Sequence, residues 1–235
     1  MRDFQQAAGV APAKPTIASR LADALRAEIL SGELKPGARL NLDRMRDDRA
    51  VSVSSLREAV TRLVADGLIT VEEQRGYHVA PISLANLAEV TRLRMELEPL
   101  ALRSAIANGA LDWETGVMAA LYRLNRTVRL PGDSASLEAW ESAHNAYHFA
   151  LIERCDMPLL MRILRMLIAM NNRYRRIFLD TGHDQRDMIE EHTAIAEAAA
   201  GRDAERAAKL LEAHIERTGT TLRRLLTAHL PEAGA

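Results

Sequence analysis

Apolar residues recur at helical spacing along most of this chain. Thr16 is placed to cap a first helix whose stripe is Ile17, Leu21, Leu25 and Ile29. Ser31-Gly32 ends it, and KPGARL (Lys35 to Leu40) reads as a turn built on Pro36-Gly37. A short second helix is predicted over 41–49. Ser52 caps a third, VSSLREAVTRLVADG, with Leu56, Val60, Leu63 and Val64 inward and Gly67 closing it. Two β-prone pieces follow, LITV (68–71) and YHVAP (77–81), with Glu72 to Gly76 as a hairpin tip. Three short helices and a hairpin in this order predict a winged helix-turn-helix.

From Leu84 onward the alternation typical of strands is missing. Six helices are predicted instead, over about 84–107, 113–130, 134–155, 157–180, 184–200 and 203–229. Gly109, Pro131-Gly132, Met157-Pro158, Thr181-Gly182 and Gly201-Arg202-Asp203 punctuate them. Short connections between long helices predict antiparallel neighbours in a bundle. The expected fold is mainly α: an N-terminal winged helix-turn-helix domain (16–80), a linker (81–83) and a C-terminal all-α bundle (84–230). Residues 1–15 offer no periodic face and are expected to form a mobile tail.

Composition narrows the function classes. The 235 residues include 31 Lys+Arg and 32 Asp+Glu, and only 4% are aromatic. That mixture favours helices and gives no global attraction to nucleic acid. The single cysteine, Cys155, cannot form an intrachain disulfide, so a reducing, cytoplasmic setting is expected. No apolar run approaches the roughly 18 to 20 residues of a membrane span, and the start of the chain lacks a secretory h-region. Charge evidence for DNA must therefore be local. Six arginines (39, 44, 46, 49, 57 and 62) stand against Asp43, Asp47, Asp48 and Glu58, a weak basic excess. Ser52, Ser54 and Ser55 at the start of the third helix suit phosphate oxygens. Arg57, one turn in, can reach a phosphate or fork onto a guanine edge. Arg75-Gly76 at the wing tip can lie along the minor groove or the backbone.

Four of the seven histidines occupy apolar stripes on three bundle helices. His144 and His148 share a stripe with Trp140, Tyr147, Leu151 and Cys155; His192 lies with Met188, Ile195 and Ala199; His214 lies with Ala207, Leu210, Leu211, Ile215 and Thr218. A lone buried histidine is ordinarily satisfied by a carboxylate or a carbonyl. Four in mid-helix positions can instead converge on a transition metal, with zinc the default and nickel or copper as competitors. Arg94 and Asn171 also interrupt apolar stripes. An inward arginine needs a carboxylate, either Glu98 at i+4 or that of a small organic acid. Tyr147, Arg173 and Arg175 are weaker candidates for the same pocket, and RYRR (173–176) reads equally as a solvated face. A metal-dependent hydrolase or oxidase is the alternative class. It is weakened because Asn145 stands where H-E-x-x-H has its glutamate; Glu141 and Glu191 lie nearby, with Glu191 expected off the stripe. No nucleophile elbow or phosphate loop appears.

The run ILSGELKPGARLN…VSVSSLREAVTRLVADGLI…RGYHV, residues 17–81, resembles the DNA-binding half of GntR-family bacterial transcription regulators. The LRMELE start, H-x-x-Y-H, ALIE-x-C-x-x-PLL, EHTAI-x-EA and LLEAHI, across 84–229, resemble the FCD ligand-binding domain of the family's FadR-like branch. The resemblance implies a homodimeric, effector-responsive regulator of operator DNA, usually a repressor. It implies DNA contacts from Ser52, Ser54, Ser55, Arg57, Arg75 and Gly76. It also implies an effector acid gripped by Arg94, and a metal held by an Asp and three His. Two departures stand out. Val53 occupies a position where the family commonly has arginine, which Arg44 or Arg46 could replace. His144 occupies the position of the metal-binding Asp, ahead of His148, His192 and His214, making the site softer and less anionic.

Overall fold

The computed structural model describes residues 16–178 and 185–229. The tail expected at 1–15, the Thr181-Gly182 break and the last residue of the expected bundle, 230, lie outside them. Helix α1 (Ile17–Ser31) is capped by Thr16, whose side chain accepts from the Ser19 amide; Gly32 ends it at φ 80°. Leu21, Leu25 and Ile29 are buried as the stripe predicts, but Ile17 is exposed, because the first turn extends past the core it serves.

The turn after α1 holds a strand that the sequence did not suggest. Strand β1 (Arg39–Leu40) pairs antiparallel with β3 (Gly76–Val79), which pairs with β2 (Ile69–Glu72), giving the order β1-β3-β2. Between them lie α2 (Leu42–Arg49), capped by Asn41, and α3 (Val53–Ala65), capped by Ser52. Gly67, at φ 68°, takes the left-handed conformation that closes α3 and turns the chain into β2. Leu21, Leu25 and Ile29 of α1, Leu56, Val60 and Leu63 of α3, and Leu40, Ile69 and Val79 of the sheet form one apolar cluster. Arg49 and Glu28 join α2 to α1 through paired hydrogen bonds of 2.8 and 2.6 Å.

Six helices follow: α4 (Leu84–Asn108), α5 (Leu111–Arg126), α6 (Ser134–Ile152), α7 (Pro158–Phe178), α8 (Gln185–Ala200) and α9 (Ala204–His229). Their inward residues form a second, larger cluster from Val90 to Ile215. Helix α4 lies along α9, α5 along α6 and α8, and α8 along α9. The α4–α9 seam is close at Gly219, where a Cβ would stand 2.4 Å from Thr91 Cγ2. Gly219→Ala is therefore expected to lower stability by about 1–2 kcal/mol despite alanine's better helix propensity, because Thr91 is stiff at χ1. Thr91→Ala in that background should recover most of the loss in urea unfolding. A stabilised single variant would show that the seam relaxes.

Helix α7 joins the two clusters. Its Met170 side chain packs 3.6 Å from the Cβ position of Gly67, and Arg173 donates to the Ala80 carbonyl. The Tyr174 hydroxyl, flanked by the Ser83 amide and carbonyl, lies 2.8 Å from Asn86 Oδ1. RYRR is thus no solvated face: Arg173, Tyr174 and Arg175 are all buried.

Candidate metal centre and nucleic-acid face

Helices α6, α8 and α9 bring His144, His148, His192 and His214 together. Each of the four offers one donor atom, and these atoms lie within 4.8 Å of one another. All four side chains are buried. The i, i+4 spacing sets the His144 and His148 ring centroids 4.4 Å apart, and His192 stands 4.6 Å from His214 across the α8–α9 seam. A tetrahedral ion with ligands at about 2.0–2.1 Å needs donors about 3.4 Å apart, so shifts of roughly an ångström close the cage. Two observations favour a fit. His192 Nε2 is buried without a hydrogen-bond partner among the described residues. His214 Nδ1 lies 2.7 Å from Glu191 Oε2, the carboxylate–histidine arrangement that leaves Nε2 free and basic for an ion. Glu191 lies off the apolar stripe of α8, as the sequence suggested, but the α8–α9 crossing brings it against His214 and Arg217. Burial pushes its carboxyl up, but these two partners outweigh burial and hold it below the usual range.

Two arginines flank the histidines, and each already has a carboxylate. Arg94 Nε meets Glu98 Oε1 at 2.5 Å, the i+4 partner foreseen on α4. Arg175 Nη2 meets Glu141 Oε1 at 2.6 Å, and its Nη1 lies 2.7 Å from His144 Nδ1. The Arg175 guanidinium also stands 5.3 Å from the Trp140 ring, with Arg129 at 5.2 Å. Glu141 is buried, and its Oε2 has no partner among the described residues. The sequence signal for Glu141 was available: it precedes His144 by three and His148 by seven, on one helical face. Asn171 is buried nearby on α7. Tyr147 is buried as well, but its hydroxyl donates to the His192 carbonyl at 2.7 Å and so positions α8. A recess of about 160 Å³, lined by Leu124, Val128, Trp140, Met188, Ile189 and His192, reaches this region from the surface.

Burial, foremost, and the neighbouring positive groups hold His144, His148 and His192 well below the ordinary imidazole range. These rings are neutral at pH 7, as metal ligation requires. The unfolded chain, with histidines near pH 6.5, binds more protons below that pH than the folded chain does. Stability of the metal-free protein is thus complete above about pH 6.5 and is lost as pH falls toward the depressed values. The slope should approach about 1.4 kcal/mol per pH unit per ring. Urea unfolding in chelator at pH 7.5 and 5.5 measures this, and coincident midpoints would contradict it.

At the other end of the chain, Ser52 and Ser54 are exposed and Ser55 half-buried at the N-terminus of α3. The Ser52 hydroxyl accepts from the Ser55 amide and lies 2.9 Å from both neighbouring serine hydroxyls. Arg57 is exposed and has no carboxylate partner among the described residues. Arg44 pairs with Asp48, Arg46 with Asp47, and Arg75 with Glu72 at the wing. Gly76 adopts φ 90° beside Arg75.

Comparison with known proteins decides what this pairing of modules is. Residues 17–79 match the model of bacterial regulatory proteins of the gntR family, and residues 89–217 match the FCD domain. An HTH-type transcriptional regulator of Paraburkholderia xenovorans, BphR, is 37% identical over 85% of this chain and 82% of its own length. The chain belongs to the GntR family, with an FCD domain. The HTH-type transcriptional repressor GlaR of Escherichia coli is 30% identical over 81% of this chain and 89% of its own. Among solved structures, E. coli McbR/YncC superposes with a TM-score of 0.76 over 90% of this chain and 99% of its own, at 21% identity. GntR/FCD proteins are transcriptional regulators and not enzymes, so the hydrolase alternative falls. In GntR terms, α3 is the recognition helix and β2–β3 the wing. Among the described residues, no helix is long and apolar enough to cross a membrane.

Proposed function

We propose that this GntR/FCD regulator is a homodimeric, metal-dependent sensor of a small organic acid that releases or grips operator DNA accordingly, most simply as a repressor. The observation that carries the reading is the meeting of four buried imidazoles from α6, α8 and α9, with Arg94 and Arg175 beside them. Zinc suits a redox-neutral all-imidazole site, with nickel and copper as competitors. Bound there, a divalent ion would supply a positive centre for a carboxylate. The chain's own residues do the rest: Glu191 orients His214, Glu141 fixes Arg175, and the Trp140–His192 recess admits a ligand of a few carbons. A cavity of about 150 Å³ is enough for a benzene-sized molecule. Because Arg94 and Arg175 already hold carboxylates, an incoming acid competes with Glu98 or Glu141. That exchange gives two ligand-dependent arrangements, as switching requires.

Residues 16–80 form the DNA-reading module, 81–83 the linker and 84–230 the sensing and dimerisation domain. On operator DNA, Arg57 reads a base edge or phosphate. Ser52, Ser54, Ser55, Arg44 and Arg46 line the contact, and Arg75-Gly76 follow the groove. The test is native purification, followed by metal analysis and mass spectrometry of any acid that travels with the protein. Gel shifts of its own upstream region, with and without chelator, complete it. A metal-free protein whose DNA affinity ignores added zinc and acids alike would overturn the sensor reading.

A further inference from the structure

Val53 is the first residue of α3, and its side chain is half-buried. Val51 and Val64 pack against the apolar cluster of the N-terminal module, but Val53 is not among the described residues that do so. A β-branched side chain is stiff, so its two methyl groups are held off the core in a fixed pose. In a helix the Cα–Cβ bond tilts toward the N-terminus, so Val53 leans over the leading end of α3. Arg57 follows at i+4 and is exposed, and side chains at that spacing share a face. The polar groups around this pair are engaged. The Ser52 hydroxyl accepts from the Ser55 amide and lies 2.9 Å from the Ser54 and Ser55 hydroxyls. Glu58 pairs with Arg62 at 2.6 Å, and the Thr61 hydroxyl donates to the Arg57 carbonyl at 2.8 Å. Base reading by the leading turns of α3 thus falls to one guanidinium and one apolar side chain. A recognition helix lays its N-terminal residues against base edges in the major groove. The apolar feature of that groove is the 5-methyl group of thymine.

We infer that Val53 is a specificity-determining residue that packs on the 5-methyl group of a thymine in each operator half-site, beside the base pair that Arg57 reads. This rests on the DNA-contact reading above and adds to it a base that no hydrogen bond selects. Cβ atoms at i and i+4 stand about 5–6 Å apart, and base pairs rise by about 3.4 Å. The thymine therefore lies about one or two base pairs from the Arg57 contact.

The experiment selects duplexes from a randomised pool with the full chain. The selected duplex is then remade with deoxyuridine at one thymine at a time, which removes a methyl group and nothing else. Binding is measured at one fixed salt concentration. For the parent, one thymine in each half-site should bind about three- to fivefold more weakly as deoxyuridine, the effect of burying one methyl group. Val53→Ala should bind the two duplexes alike, while every other thymine gives the same ratio in both proteins. Val53→Thr keeps one methyl group and should retain part of the discrimination. Val53→Ala should also melt as the parent does; a clear drop would mean that the side chain packs in the core and would overturn the assignment. A selected duplex with no methyl-sensitive thymine, or one whose sensitivity persists in Val53→Ala, would overturn the role of Val53 and leave the DNA reading standing. A full chain that enriches no duplex would overturn the DNA reading itself, and this inference with it.

Discussion

Replacing Glu98 with alanine is expected to destabilise the helical bundle by about 3–5 kcal/mol, the range for removing one partner of a buried ion pair. Arg94 and Glu98 meet at 2.5 Å with side chains 6% and 1% exposed, so solvent cannot take over the lost interaction. Arginine does not deprotonate in a protein, so the guanidinium is left charged, buried and uncompensated. Set against a typical total stability of about 5–15 kcal/mol, that is a third or more of what holds a domain together. Glu98→Gln keeps an acceptor and should lose less. Arg94→Met/Glu98→Leu removes both charges and should fold nearly as well as the parent. That double variant separates two roles of Arg94: retained stability with lost binding of any acid that co-purifies with the parent would mark a ligand grip. Equilibrium urea unfolding followed by circular dichroism gives the comparison. A loss below about 1 kcal/mol for Glu98→Ala would mean that Arg94 is satisfied by another group.

Arg57→Ala is expected to weaken operator binding by roughly 5- to 150-fold, the equivalent of about 1–3 kcal/mol for a specific arginine contact, at unchanged thermal stability and metal content. Arg44, Arg46, Arg62 and Arg75 each lie against a carboxylate of the same module, so part of their charge is already spent. Arg57 is exposed on the first turns of α3 without such a partner among the described residues. On the proposed function this charge is the one that DNA would meet, and truncating Arg44 or Arg46 should cost less than truncating Arg57. Affinity equal to the parent's, measured at one fixed salt concentration, would remove Arg57 from the interface.

Much of the architecture is visible in the chain because helices announce themselves by period and cap. Thr16 and Ser52 sit where the helix starts require them, and each side chain accepts the amide three residues on. The histidines were legible for the same reason, since each lies on the buried stripe of its own helix. What escaped was whatever depends on two elements crossing. Strand β1 is two residues long, with Arg39 exposed, and exists only because β3 runs beside it. Glu191 is off the stripe of α8 alone but meets His214 where α9 crosses. Arg173 resembles a solvent-facing polar position until it meets the Ala80 carbonyl. Ile17 failed in the other direction: the period is right, but the core ends before it.

The order of residues 173–175 gives α7 an unusual position in any signalling scheme. Arg173 and Tyr174 are tied to Ala80 and Asn86, where the two clusters join, and the next side chain, Arg175, is tied to His144 and Glu141. On the proposed function, detector and output would therefore be mounted on one turn of one rod. Substitutions at 173 or 174 should then masquerade as sensing defects in a genetic screen, deaf to the acid while still able to bind it.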